Sequence, residues 1–401
     1  MTIPAHAFDA EAAAPSRTIT ALCLIALIAG FVAHVAVQIP NIVLEQAGAG
    51  GFAIGASTAA QAVGIVVSGP LAVYLLGRAG SAHVLMFGCC IASIGLSSLG
   101  ASHDVLPITF WRLIFAVGVG LMVIVSQHVV TARAPSRRLG TVIAVYALCA
   151  SLGAALAPGI ISLLTPNFSL AYAIAVSSLM VAAISIGWAG LRTRVEPATS
   201  WAKVGGLFRS ASPSFWAAAV YGLIENGLLA LLTVYALRIG YSVAQASAVA
   251  MAGLLGVLLL QMPIGHISDR SNPRLVLLIC ALASIACLAV LVVARPPLPV
   301  MLGLAFVLGG LCDAFYTVGL ADMSQRLPKS ELAAANACFV LFCGMGEIAG
   351  PVVAGSGLDL LGPAGFATAF IAVLVLYLAT QFKATRGSSG HPLRISGEAA
   401  S

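Results

Sequence analysis

The sequence predicts an all-α integral membrane protein of twelve transmembrane helices, arranged as two pseudo-symmetric six-helix halves. Three observations predict it. The chain of 401 residues is 60% hydrophobic and only 8% charged, with a mean hydropathy of +1.06, far from a globular composition in which roughly a quarter of residues are charged. The stretch from Gln261 to Leu277 joins two long apolar runs through a short polar turn holding Asp269, Arg270 and Arg274, as a tight loop between two spans would. Positions 193 apart align Pro70 with Pro263, Arg133 with Arg326, Pro135 with Pro328, Gly153 with Gly346 and Pro158 with Pro351. Such matches, spread over several elements at a single offset, indicate an internal duplication.

Residues 1–16 are polar and Ala-rich, with no basic stretch ahead of an apolar core. They read as a short cytoplasmic tail rather than a removed signal peptide. Apolar segments then follow at 18–39, 52–76, 82–100, 106–131, 140–163, 168–191, 214–237, 244–267, 275–294, 298–322, 332–357 and 365–383. Each is long enough to cross about 30 Å of hydrocarbon as a helix. Internal Gly and Pro are compatible with this, because neighbouring helices satisfy the freed backbone groups. The halves occupy 17–191 and 213–383, a polar, basic cytoplasmic linker occupies 192–212, and a cytoplasmic tail occupies 384–401.

Orientation follows from Lys and Arg. With a cytoplasmic N-terminus, sixteen of the 19 basic residues fall inside, only Arg238 and Arg295 fall outside, and Arg112 lies within a span. That asymmetry places both termini in the cytoplasm and the protein in the cytoplasmic (inner) membrane. The net charge of +6 is a topology signal, so nucleic acid is not expected as a partner. The nine cysteines lie in apolar runs without a C-x-x-C pair; they read as packing residues, and no metal site is expected.

The turn with Gly265, Asp269, Arg270 and Arg274 resembles the G-x-x-x-D-R-x-G-R-R loop of the major facilitator superfamily, and the resemblance covers the chain from Arg17 to Lys383. Arg112, Gly118 and Gly120 are similar to the family's fourth-helix pattern. Gly153, Ala157 and Pro158 are similar to its fifth-helix pattern, which the family associates with export, and Gly346, Gly350 and Pro351 form the better-preserved repeat copy. Two departures are visible: Gly77 stands where the family usually has Asp, and Asn272 and Pro273 replace Gly and a basic residue. The resemblance implies a cytoplasmic gate in which Asp269 faces the start of the fifth span, near Ser136 to Thr141, where helix-end N–H groups favour a carboxylate. Arg78 is then a candidate partner for Glu331 at the start of the eleventh span.

Ionisable groups inside spans are candidates for function because burying charge in hydrocarbon is costly. Arg112 is either a site residue or a snorkelling structural group. Glu225, beside Asn226 and close to the midplane of the seventh span, is a candidate for binding substrate or protons. Asp313 is either a site residue or a buried inter-helix bond, and Glu347 either couples transport or bridges helices. His34 combines a proton-active ring with the alternative of simple packing. The resemblance implies that the first, fourth, seventh and tenth spans line a central cavity, which would gather Arg112, Glu225, Asp313, His34, Gln38 and Asn41.

These residues point to a secondary transporter, proton-coupled and moving a small organic solute by alternating access, with a lean to efflux. Uptake of a small organic anion on Arg112 is the alternative, and a non-transporting sensor a remote one. No nucleophile constellation, metal-ligand pattern or phosphate loop indicates an enzyme. No cofactor is called for beyond a coupling proton. The expected partners are the lipid bilayer and the solute, and the resemblance implies a functional monomer.

Overall fold

The computed structural model describes residues 16–134, 138–189, 204–327 and 331–388. The first half contains α1 (Ser16–Gln46), α2 (Gly51–Ala79), α3 (Ser81–Gly100), α4 (Val105–Arg133), α5 (Leu139–Leu164) and α6 (Phe168–Ala189). In the second half, α7 (Val204–Ile224) runs through a π-helical segment (Glu225–Leu229) into α8 (Ala230–Arg238). It is followed by α9 (Val243–Arg270), α10 (Pro273–Val293), α11 (Leu298–Arg326), α12 (Leu332–Leu361) and α13 (Pro363–Ser388). Because α7, the π segment and α8 make one continuous rod, there are 12 helices long and apolar enough to span a membrane among the described residues.

Helix starts and stops follow local chemistry. Ser242 and Gln245 form a capping box at α9, satisfying N–H groups that a helix start leaves open. Asn272 caps α10 and Pro273 occupies its first turn, where the missing N–H costs nothing. The Asn-Pro pair that departs from the family's loop pattern is thus a helix-start signal. Between α2 and α3 only Gly80 intervenes, at φ 78°, a conformation that glycine adopts without steric cost. The expected linker is partly helical. Residues 190–203 lie outside the described residues, but Val204–Ser212 already belong to α7, because nothing before Pro213 interrupts the helix. Likewise α13 runs on to Ser388, past the expected start of the C-terminal tail.

The two halves repeat one packing map. Helix pairs α1/α5, α2/α4, α3/α4 and α3/α6 recur as α7/α12, α9/α11, α10/α11 and α10/α13. Small residues allow this close approach: a Cβ on Gly153 would lie 1.9 Å from the Leu27 carbonyl oxygen, and one on Gly346 would lie 2.2 Å from that of Ala219. The glycines of the export-like motif therefore hold α5 against α1 and α12 against α7.

The repeat offset differs by one between spans. Ala150 and Cys343 are 193 apart, yet their glycine partners Gly30 and Gly222 are 192 apart, and so are Gly48 and Gly240 in the turns that end α1 and α8. The seventh span differs from the first in winding rather than in length: its segment Glu225–Leu229 is a π turn, wider than the α-helix around it.

Arg17, Arg78, Arg133, Arg270 and Arg274 lie at one end of the bundle, here called the basic end; the α1–α2 and α8–α9 connections lie at the far end.

Candidate functional site

A cavity of about 180 Å³ lies between the halves, lined by α1, α2, the π segment, α8, α9 and α12. Its polar lining is His34 and Gln38 on α1, Gln61 on α2, Glu225 and Asn226 on the π segment, and Glu347 on α12. The rest is apolar, including Ala33, Val37, Ile65 and Leu254. Glu225 and Glu347 lie close enough to interact electrostatically, and Tyr221, one turn earlier, reaches the Glu225 carboxyl. The Asn226 amide nitrogen donates to the Glu347 carbonyl oxygen at 2.7 Å, which ties the π segment to α12. Gly227 reinforces that tie, since a Cβ there would come 2.6 Å from the Gly350 backbone.

Arg112 does not reach this cavity. It is 0% exposed, which removes the snorkelling alternative. Its Nε donates to the Ala36 carbonyl at 3.2 Å, Nη1 to Ser57 Oγ at 3.0 Å and Thr58 Oγ1 at 3.1 Å, and Nη2 to the Val37 carbonyl and Asn41 Oδ1, both at 2.7 Å. A guanidinium has five N–H groups, so every one is engaged by a neutral acceptor. Asn41 passes the connection on by donating to the Ala230 carbonyl at 2.9 Å, across to the second half. Arg112 is a staple joining α4 to α1 and α2. Asp313 is also off the lining; it is buried on α11 near Tyr221, with one carboxylate oxygen lacking a hydrogen-bond partner among the described residues. Spans four and ten therefore stand behind the cavity, and spans one, two, seven, eight and eleven form its wall.

The halves meet at the far end along two seams. In the α2/α12 seam a Cβ on Gly55 would fall 2.1 Å from the Pro351 carbonyl oxygen, and one on Gly355 would fall 2.0 Å from that of Gly51. Here the Asp359 carboxylate accepts from the Gly51 N–H at 2.6 Å and the Phe52 N–H at 2.8 Å, so α12 caps the start of α2. Arg238 joins them, donating from Nε and Nη2 to the two Glu45 carboxylate oxygens at 2.9 and 3.0 Å and from Nη1 to the Leu358 carbonyl at 3.2 Å. In the α5/α9 seam Ser162 Oγ donates to the Ala244 carbonyl at 2.9 Å, and Gly159 faces Met251.

The basic end is arranged differently. Asp269 is exposed and makes no hydrogen bond or ion pair among the described residues; Ser136 and Arg137, its expected neighbours, lie outside them. Arg78 lies over the Tyr74 ring, 4.2 Å from its centroid, and bonds the Tyr74 hydroxyl rather than Glu331.

A model of the major facilitator superfamily matches residues 21–254 and 214–392. The chain belongs to that superfamily. Its curated relative YfkF of Bacillus subtilis (strain 168), described as an uncharacterized MFS-type transporter, is 25% identical over 344 residues, 83% of this chain and 87% of YfkF. The nucleoside transporter NupG superposes with a TM-score of 0.74 at 15% identity, covering 94% of this chain and 100% of that one. A bacterial homologue of the human lysosomal transporter Spinster, in an inward-facing and occupied conformation, gives a TM-score of 0.71 at 16% identity over 92% and 97% of the two chains. These establish a multi-pass membrane transporter of the superfamily, not an enzyme, with the fold the sequence predicts.

Sequence reasoning missed Asp359, Glu45 and the pairing of Arg238. A signal existed: the offset of 193 aligns Glu45 with Arg238, an acid opposite a base at the end of corresponding spans. The spacing Gly51-Gly55 against Pro351-Gly355-Asp359 also repeats every fourth residue, which is one helix face meeting another.

Proposed function

We propose that the protein is a proton-coupled secondary transporter that exports a small organic solute across the cytoplasmic membrane by alternating access. The observation that carries this reading is the cavity between the halves, which holds Glu225 and Glu347 while the seams beyond it are closed at the far end. Carboxylates at the meeting of two rocking halves are suited to exchanging protons with a solute. The positive-inside asymmetry makes the basic end cytoplasmic, so this is the inward-open state. Export is supported by the motifs around Pro158 and Pro351. The exposed Asp269 fits the same picture: with Gly265, Arg270 and Arg274 it forms the gate that engages α5 when the cytoplasmic side closes. The protein works as a monomer, each chain holding its own cavity.

The test is solute flux in proteoliposomes under an imposed pH gradient, across organic cations, sugars and organic acids. Transport of at least one solute, driven by the gradient and lost in the E225Q and E347Q double variant, is the expected result. Gradient-independent flux would overturn the coupling, and absence of any solute or proton flux would overturn the transporter reading for this chain.

A further inference from the structure

We infer that the cavity selects a compact organic cation rich in N–H donors, a primary amine or guanidinium, held between Glu225 and Glu347. This rests on the transporter reading and adds the class of its solute. The argument is a count of hydrogen-bonding groups. A backbone carbonyl can only accept, so a side-chain amide or ring that bonds one must present its N–H to it. Gln61 turns its amide nitrogen to the Ala33 carbonyl at 3.2 Å, and its oxygen is left buried without a partner among the described residues. Asn226 turns its nitrogen to the Glu347 carbonyl, which leaves its own oxygen as an acceptor. His34 Nδ1 bonds the Gly30 carbonyl at 3.0 Å, so the neutral ring offers the lone pair of Nε2. The Gln38 oxygen is likewise buried and unpartnered.

Four neutral acceptors thus join two carboxylates around one space, and the side-chain donors left among the six polar lining residues are the Gln38 amide nitrogen and the second N–H of Gln61 and of Asn226. Gln38 and Gln61 are 2% and 6% exposed and their oxygens are sealed within the cavity wall, so a ligand meets these oxygens when the two amides turn toward it. Buried acceptors without donors are costly, and a ligand bringing several N–H groups satisfies them together. No Lys or Arg among the described residues lines the cavity, and the buried guanidinium of Arg112 has all five N–H groups engaged elsewhere. An organic anion would meet two carboxylates and no available cation. A volume of about 180 Å³ suits a compact solute, being below the range of drug-sized pockets.

The experiment is calorimetric binding to the full-length protein in lipid nanodiscs. The probes are agmatine, which carries an ammonium and a guanidinium; tetramethylammonium, which has the charge but no N–H; and butyrate. Agmatine should bind at least tenfold more tightly than tetramethylammonium, and butyrate should not bind. Equal affinities for agmatine and tetramethylammonium, or tighter binding of butyrate, would overturn the inference on the unaltered protein. E225Q and E347Q should each weaken agmatine at least tenfold, and E347Q keeps the backbone carbonyl that anchors Asn226. Unchanged affinity in both variants would place the cation elsewhere and sink the assignment. Flux separates the two readings. Organic-acid transport without agmatine binding removes this inference alone, whereas agmatine binding without movement of any solute removes the transporter reading alone.

Discussion

The α2/α12 and α5/α9 seams occupy corresponding places in the duplicated fold, yet they are closed by different means. In the first, backbone meets backbone across Gly51, Gly55, Pro351 and Gly355, and a carboxylate from one half caps a helix of the other. In the second, contact runs through one serine hydroxyl and a methionine side chain. The helix starts explain part of the difference. α9 has Ser242 and Gln245 to cap itself, whereas the matching N-cap and third helical positions of α2 are Gly50 and Ala53, which provide no side-chain bond. The N–H groups that α2 cannot satisfy locally become a docking point for Asp359. A helix left incomplete in one half is thereby made into an adhesive surface for the other, and the first seam should control closure of the far end.

That contrast can be broken in order of expected effect. Gly55→Leu places a side chain against the Pro351 carbonyl, where neither backbone can yield without parting the helices. Overpacking there should cost about 3 kcal/mol, a shift of roughly a hundredfold away from the far-end-closed state. Spin-label distances across the far end should lengthen and transport should be lost; unaltered distances would show that the glycine approach is incidental. Asp359→Ala removes the cap of α2 and a carboxylate 3.7 Å from the Arg238 guanidinium, whose bond to Glu45 survives. An N-cap loss of about 1–2 kcal/mol should shift the closed-to-open ratio by roughly five- to thirtyfold, read as faster labelling of a cysteine placed at Ala47. Labelling at the unaltered rate would assign closure to the glycines alone. Gly159→Ala in the other seam meets only the Met251 sulfur, 2.8 Å from a built Cβ, and a flexible thioether moves aside easily. Its effect should stay within about 0.5 kcal/mol, with transport at the unaltered rate. A loss as large as that of Gly55→Leu would make the two seams equal partners.

Spans, halves and loop signature were legible because each is written in composition and spacing along the chain. The midplane acid Glu225, its neighbour Asn226, and Gln38 and His34 were likewise readable as polar interruptions of apolar helices, and all four line the cavity. Arg112 shows where that reasoning stops. Depth in a span says that a charge must be compensated, but the compensating groups come from Ala36, Val37, Asn41, Ser57 and Thr58 on two other helices, and two of those acceptors are backbone carbonyls that carry no sequence signature. Asp313 is displaced from the lining for a similar reason, since the rotation of α11 is set by its packing partners. The seams were hidden because Asp359 acts on backbone N–H groups more than 300 positions away, and glycine spacing alone does not say whether the neighbour belongs to the same half.

The π segment has a consequence for how two copies of one design came to do different work. The first span is α-helical throughout, whereas the seventh widens into a π turn at Glu225. Deleting one residue there, Leu228 for instance, would restore α-helical periodicity and turn everything before it by about 100° relative to α8, carrying Glu225 and Asn226 away from the cavity wall. Both acids of the chamber stand on the second copy, whereas the first copy contributes two amides and an imidazole. One widened turn thus sets apart halves that share the same architecture, and it lies at the residue where the two carboxylates meet.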